Sequence, residues 1–138
     1  MRAEPVLIEG YASLFGVPDT SGDVVRAGAF ARSLNRAVSV AMLMQHRDGA
    51  SAGRWTRIGE DGRGLYVRGL VEAPGALALV RQGVNGLSIG FRPARWTIRP
   101  GGGRELIEVD LVEISLVRAP MLSAARFSVQ GRSLLQAA

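Results

Sequence analysis

One histidine, one serine between glycines and one acidic residue in an apolar segment are the residues whose types could do chemistry together. His46 is the only histidine of the chain, so any base that needs an imidazole is this residue. Ser88 lies within GLSIGF, residues 86–91, and Glu113 lies within VDLVEISLV, residues 109–117. Histidine, serine and an acid are the three parts of a serine hydrolase triad. A lone histidine at a sheet edge is more often structural, so His46 alone does not decide the matter.

The segment around Ser88 is typical of a strand, in which side chains alternate between two faces. Alternation puts Ser88 on the same face as Gly86 and Gly90. We interpret the two glycines as space for a second backbone, which a serine attacking a peptide needs. The structural alternative is a strand serine beside a bulge or a crowded crossing. No helix is predicted directly after this GxSxG sequence, so it is not a nucleophile elbow.

The acidic residues near the C-terminus divide between two faces of a second predicted strand. Alternation puts Glu113 on the more apolar face with Leu111, and Glu108 and Asp110 on the other. A carboxylate on an apolar face needs a partner, because burial without one costs several kcal/mol. His46 and an arginine are both candidates for that partner.

Composition excludes several kinds of site. The chain has no Cys, and all 17 of its basic residues are Arg, which removes thiolate, zinc-thiolate and lysine-dependent chemistry. The net charge of +5 permits attraction to nucleic acid. The arginines are scattered, however, and only 6% of residues are aromatic, so the sequence argues against a nucleic-acid partner.

Short strand-like segments with two inserted helices are predicted along the chain. The helices are expected at 27–37 and 74–83, and the Asp61-Gly62 turn predicts a hairpin between 54–59 and 65–71. Further strands are expected at 6–15, 38–44, 86–98, 105–117 and 127–129. Residues 19–23 are predicted to form a turn rather than a calcium loop.

These elements predict one domain, residues 1–130, with a flexible tail at 131–138. The fold class is α+β, a mostly antiparallel, barrel-like sheet with peripheral helices. The apolar runs are shorter than the roughly 18 residues of a membrane helix, and no secretory signal is recognised.

Four blocks of sequence, taken together, resemble the prohead proteases of HK97-like tailed phages and gene transfer agents. In chain order the blocks are 10–16 with 22–25 and 28–30; His46 with 53–55 and 64–67; 86–91; and 109–117 with Pro120. The same blocks are distantly similar to the herpesvirus assemblin proteases, whose fold the resemblance implies.

The resemblance implies a serine endopeptidase with Ser88 as nucleophile, His46 as base and no cofactor or metal. Assemblins use a second histidine as third triad member, and this chain has none, so the resemblance implies an acid there. Glu113 is our choice, with Glu108 and Asp110 in reserve, because a slip of one residue would exchange the faces.

Two departures from the related families concern arginines. Arg47 follows the histidine where many family members have Asp, and Asp48 comes one residue later. The arginine pair of the assemblin oxyanion hole is absent as a pair, which leaves Arg118 as a neighbouring arginine and the oxyanion donors unassigned.

The implied substrate is the N-terminal scaffolding region of the major capsid protein, with the portal protein and the protease itself as further partners. The implied location is the assembling procapsid in the cytoplasm of a bacterial host. Assemblin-like enzymes act as dimers, so a homo-oligomer is expected. The alternatives are a proteolytically silent capsid-assembly module of the same fold and an arginine-rich nucleic-acid-binding barrel.

Overall fold

The computed structural model describes residues 4–36 and 39–130, which fold around a single sheet. Eight strands and two short helices occur in those ranges. They are β1 (Val6–Leu14), β2 (Val24–Val25), α1 (Ala31–Leu34), β3 (Ala41–Met44), β4 (Ser51–Glu60), β5 (Gly64–Val71), α2 (Pro74–Arg81), β6 (Gly86–Ile98), β7 (Arg104–Val117) and β8 (Phe127–Val129).

Neighbouring strands are hydrogen-bonded in the order β2-β7-β3-β4-β5-β1-β8, and β6 also pairs with β7. Most pairs are antiparallel, while β2 and β3 both run parallel to β7. The sheet is not closed, although an isolated bridge joins Gly86 to Arg126 and the N–H of Leu87 donates to the carbonyl of Ala125 at 2.9 Å. The predicted sheet-dominated fold with peripheral helices is therefore confirmed, as an open sheet.

The hairpin of β4 and β5 follows the local prediction. The Oδ1 atom of Asp61 accepts hydrogen bonds from the N–H groups of Arg63 and Gly64, at 2.8 and 3.1 Å, and closes the turn. Side chains that alternate along β5, including Leu65 and Val67, are completely buried. Each such side chain contributes roughly 1.5–3 kcal/mol to folding.

The helix predicted at 27–37 is wrong over most of its length, because α1 covers only Ala31–Leu34. Gly28 has φ +90°, and the Glu60 carboxylate accepts hydrogen bonds from the N–H groups of Gly28 and Phe30 at 2.8 and 2.7 Å. The left-handed φ of Gly28 is incompatible with a helix, and a side chain 30 residues away fixes the turn around it. Phe30 is still completely buried, and Ala37 lies outside the described residues.

The remaining elements differ from their predictions mainly at the ends. Strand β3 begins at Ala41, and Val38, the predicted start, lies outside the described residues. Helix α2 ends at Arg81 and begins with proline at its first turn, where the missing N–H costs nothing. Strands β6 and β8 have the predicted bounds. The predicted tail, 131–138, lies outside the described residues.

Candidate active site

His46 is held in an uncommon backbone conformation immediately after β3. Gln45 and His46 have φ values of +52° and +60°, a left-handed conformation that costs a non-glycine residue roughly 1–2 kcal/mol. Two hydrogen bonds to β7 stabilise it. The N–H of Gln45 donates to the carbonyl of Leu116 at 3.0 Å, and the N–H of His46 donates to the hydroxyl of Ser115 at 3.1 Å. The turn that carries the imidazole is therefore fixed against β7.

Glu113, in the middle of β7, meets the imidazole of His46. Its Oε2 atom lies 2.5 Å from Nδ1 of His46, and its Oε1 atom accepts a hydrogen bond from the Ser115 hydroxyl at 2.6 Å. The Glu113 side chain is 11% exposed and that of His46 is 41% exposed. A buried carboxylate with both oxygens engaged orients the ring, and Nε2 remains as the ring nitrogen that can exchange protons with a substrate.

The structure brings Glu113 to His46 through a break in strand alternation. Gly90 pairs with Glu113, but the next residue, Phe91, pairs with Leu111, so Val112 has no partner across the ladder. The prediction that Glu113 shares the face of Leu111 is therefore wrong. The extra residue resets the alternation, so that Leu111 and Ile114 both join the core cluster while Glu113 meets His46.

Gly90 provides the space for the Glu113 carboxylate. A Cβ atom at Gly90 would lie 2.1 Å from Oε2 of Glu113 and 2.6 Å from its Cδ. At Gly86, a Cβ atom would lie 2.5 Å from the carbonyl oxygen of Val117 and 2.9 Å from Cδ of Pro120. The interpretation that the glycines let another backbone come close is wrong for Gly90, where a side chain fills the space; at Gly86 a backbone does come close, but it is that of Val117 in this chain. The structural alternative, a serine at a crowded crossing beside a bulge, describes the glycines correctly.

Ser88 lies directly across the β6–β7 ladder from Ser115. The residue is 5% exposed. Ser115 in turn contacts the Glu113 carboxylate and the His46 backbone, so one serine connects the other three residues. No hydrogen bond joins the Ser88 hydroxyl to His46 within the described ranges.

The two reserve acids have other partners. Asp110 forms an ion pair with Arg36 at 3.4 Å, and Glu108 lies 3.8 Å from Arg32. Both arginines are in or next to α1. Neither acid contacts His46 in the part of the chain that the structure describes, so Glu113 is the acid that the fold places at the imidazole.

The arginine beside the predicted terminal block is engaged at the surface. The Nη2 atom of Arg118 donates to Oε1 of Gln82 at 2.9 Å, and the backbone N–H of Arg118 donates to Oε1 of Gln45 at 3.3 Å. Asp48 and Arg47 are exposed in the turn after His46. These contacts assign no oxyanion donor.

Ser115 is the residue of this cluster that sequence reasoning did not single out. The sequence does contain a signal for it, because strand alternation puts a serine two positions after Glu113 on the same face as Glu113. Nothing in the spacing showed that its hydroxyl would both donate to the carboxylate and accept from the histidine backbone. It is completely buried, so both hydrogen bonds are protected from water.

Comparison with known proteins identifies the family. A family model described as caudovirus prohead serine protease matches residues 2–137. The chain belongs to this family. It is also 39% identical to the prohead protease of Enterobacteria phage HK97 over 106 residues, which cover 70% of this chain and 47% of that protein. The chain thus spans about half the length of this relative, and the predicted resemblance is confirmed.

Solved herpesvirus proteases share the fold. The varicella-zoster virus protease matches with a TM-score of 0.65 and 14% identity, over 91% of this chain and 64% of that one. A KSHV protease in complex with a hexapeptide phosphonate inhibitor matches with a TM-score of 0.62 and 11% identity, over 91% of this chain and 65% of that one. The predicted assemblin-like fold is confirmed.

The described residues contain neither a metal-binding cluster nor a membrane-spanning helix. Within 4–36 and 39–130, no three acidic or histidine side chains are grouped to hold a metal ion. In the same ranges no helix is long and apolar enough to cross a membrane.

Proposed function

We propose that this chain is a serine endopeptidase of capsid maturation, with Ser88 as nucleophile, His46 as general base and acid, and Glu113 as orienting carboxylate. The contact of 2.5 Å between the imidazole and the buried carboxylate carries the proposal. Glu113 is on β7, which pairs with the β6 strand of Ser88, and His46 follows β3, which also pairs with β7, so the three residues come from neighbouring strands. Family membership supports the same chemistry.

The reaction follows the general course of a serine protease. The Ser88 oxygen bonds to the scissile carbonyl carbon while Nε2 of His46 takes the hydroxyl proton. His46 then gives that proton to the leaving amine, and an acyl-enzyme remains on Ser88. Water, deprotonated by His46, hydrolyses the ester and restores the serine. Glu113 holds the ring and stabilises the imidazolium in both steps.

Ser88 and His46 must come into hydrogen-bond distance for this chemistry. Catalytic hydrogen bonds in substrate-free enzymes are often long or poorly aligned, and they tighten when substrate binds. The imidazole of His46 is exposed whereas Ser88 is buried, so we expect the ring rather than the serine to move.

The substrate we propose is the N-terminal scaffolding region of the major capsid protein, together with the protease itself, inside the assembling procapsid of a bacterial host. A relative named prohead protease supports this assignment. The portal protein and a second copy of this chain are the further partners we propose.

The test is co-expression of the major capsid protein of the same phage or particle with wild-type protein, Ser88→Ala or the control Ser51→Ala. Ser51 is an exposed strand serine, so its loss should change nothing. Mass spectrometry of the capsid protein should show a new N-terminus with wild type and Ser51→Ala only. Cleavage by Ser88→Ala would refute the assignment of the nucleophile.

The competing function is a silent assembly module of the same fold. A fluorophosphonate probe separates the two functions, because only an activated serine reacts with it. Labelling at Ser88 in purified wild-type protein supports a protease. Absence of both labelling and capsid cleavage would favour the silent module.

A further inference from the structure

A cavity of about 220 Å³ lies against Ser88, on the N-terminal half of β6. Ser88 is part of its wall, whereas neither His46 nor Glu113 lines it. Ligand pockets for whole small molecules usually measure roughly 300–1,000 Å³, so this cavity suits a single long side chain. Its position next to the nucleophile makes it available to a residue beside the scissile bond.

Most of the cavity wall is apolar. Side chains of β1, β6 and the loop before β8 form it, among them Leu14, Leu87, Ile89, Phe91 and Leu122. Such a wall favours a substrate side chain with a hydrocarbon stem, because burial of each CH₂ group contributes about 0.8 kcal/mol.

Three charged side chains complete the lining: Asp19, Asp23 and Arg104. Arg104 and Asp23 neutralise each other, since the guanidinium binds both carboxylate oxygens, with the shortest contact at 2.7 Å. This contact holds the pKa of Asp23 below its usual value, so the pair is ionised. Asp19 also interacts electrostatically with Arg104, so two acids face one arginine and the lining has an excess of one negative charge.

The carboxylate of Asp19 is fixed, yet one of its oxygens has no partner. Oδ1 accepts hydrogen bonds from the backbone N–H and hydroxyl of Ser21 and from the N–H of Asp23, at 2.8–3.0 Å. Oδ2 accepts none in the described ranges. The backbone N–H of Thr20 donates to the carbonyl of Met121 at 2.8 Å, which attaches this loop to the opposite wall of the cavity.

We propose that this cavity binds the side chain of the substrate residue whose carbonyl Ser88 attacks, and that it selects lysine or arginine, with Asp19 receiving the cationic end. This inference rests on the proposed function. Lysine and arginine combine a hydrocarbon stem with a cation, which matches the apolar wall and the excess of one negative charge in the lining. An apolar side chain would remove water from Asp19 without replacing it, and an acidic side chain would be repelled.

The first experiment compares two covalent probes with the same four-carbon side chain, one of which ends in an ammonium group. Diphenyl aminoalkylphosphonates carrying a lysine or a norleucine side chain react when the Ser88 oxygen bonds to phosphorus and phenol leaves. We expect the full-length protein to react with the lysine probe at least about tenfold faster, since hydrogen bonds to charged groups are the stronger ones. Equal rates would overturn the proposal while leaving Ser88 established as a nucleophile.

Asp19→Asn identifies the residue responsible. Asparagine keeps the Oδ1 acceptor of the turn and removes only the charge, so the fold is preserved. The preference for the lysine probe should fall to about threefold or less. Glu72→Gln is the matched control, because Glu72 directly follows β5 and does not line the cavity. An unchanged preference in Asp19→Asn would overturn the proposal.

A binding measurement tests the cavity without catalysis. NMR titration of Ser88→Ala with N-acetyl-lysine methylamide should shift the backbone resonances of residues 19–23, and the norleucine analogue should shift them less at the same concentration. If neither phosphonate reacts with wild type, the nucleophile assignment fails and this titration decides the cavity proposal. Equal or absent shifts for the two compounds would refute it.

Discussion

Gly90→Ala is expected to abolish the proposed activity while leaving the fold intact. The added Cβ atom would lie 2.1 Å from Oε2 of Glu113, whereas ordinary contacts begin at 3.4 Å, so the oxygen must retreat by about 1.3 Å. This oxygen lies 2.5 Å from Nδ1 of His46, so its retreat disturbs that contact. A hydrogen bond is lost beyond roughly 3.2 Å, which a lengthening of about 0.7 Å, half of that retreat, would reach.

The loss of rate follows from the role of the carboxylate. Displacing a catalytic group by about 1 Å costs about 10²-fold, and loss of the correct imidazole tautomer in a serine protease costs about 10⁴-fold. We therefore expect Ser88 to react with a fluorophosphonate 10²- to 10⁴-fold more slowly in Gly90→Ala. Overpacking costs about 1–3 kcal/mol, which is less than the stability of a typical domain, so the variant should remain folded.

The assay is the rate of Ser88 labelling, followed by mass spectrometry, with thermal denaturation of the same samples. Gly59→Ala is the control, since Gly59 is also a strand glycine and its added Cβ would meet no atom within 4 Å. That variant should label at the wild-type rate. Labelling of Gly90→Ala at the wild-type rate would refute the reasoning that Glu113 orients the base.

Three other substitutions test neighbouring parts of the structure. Ser115→Ala leaves two buried polar groups unpaired, so labelling should slow about 10- to 100-fold, with Ser51→Ala unchanged; equal rates for both would contradict this. Glu60→Ala frees two backbone N–H groups of the turn before α1 and should lower the free energy of unfolding by about 2 kcal/mol in urea denaturation, a prediction that an unchanged midpoint would disprove. Arg104 lowers the pKa of Asp23 in the fold, so this carboxylate stabilises the protein above the pKa of an unfolded Asp and ceases to do so as pH falls through the depressed pKa. Asp23→Asn should therefore be less stable at pH 7 and lose less stability below about pH 4; equal pH profiles would contradict the ion pair.

Local signals predicted the strands and the hairpin well. The Asp61 turn and the alternation along β5 depend on neighbours in sequence, which is why their bounds were nearly correct. The helix at 27–37 failed for the opposite reason. Gly28 takes a left-handed φ of +90°, Glu60 of another strand fixes the turn around it, and no periodicity within the segment reveals either.

The sequence shows the residue types of the candidate site but not its geometry. Residue types and a family resemblance predict His46, Ser88 and Glu113, and the structure places His46 against Glu113. Alternation alone assigned Glu113 to the wrong face, because the unpaired residue at Val112 depends on how β6 and β7 align. Sequence patterns of period two cannot show where such an extra residue lies.

The parallel pairing of β3 with β7 also determines when the proposed site can exist. Met42 pairs with Ile114, so a loop of about 72 residues must close before His46 reaches Glu113. Contacts of such high sequence separation form slowly, and proteins dominated by them fold in milliseconds to seconds. If the proposed site is correct, a newly made chain has no base for Ser88 until β3 has paired with β7. The proposed activity would then begin only after this long-range step of folding.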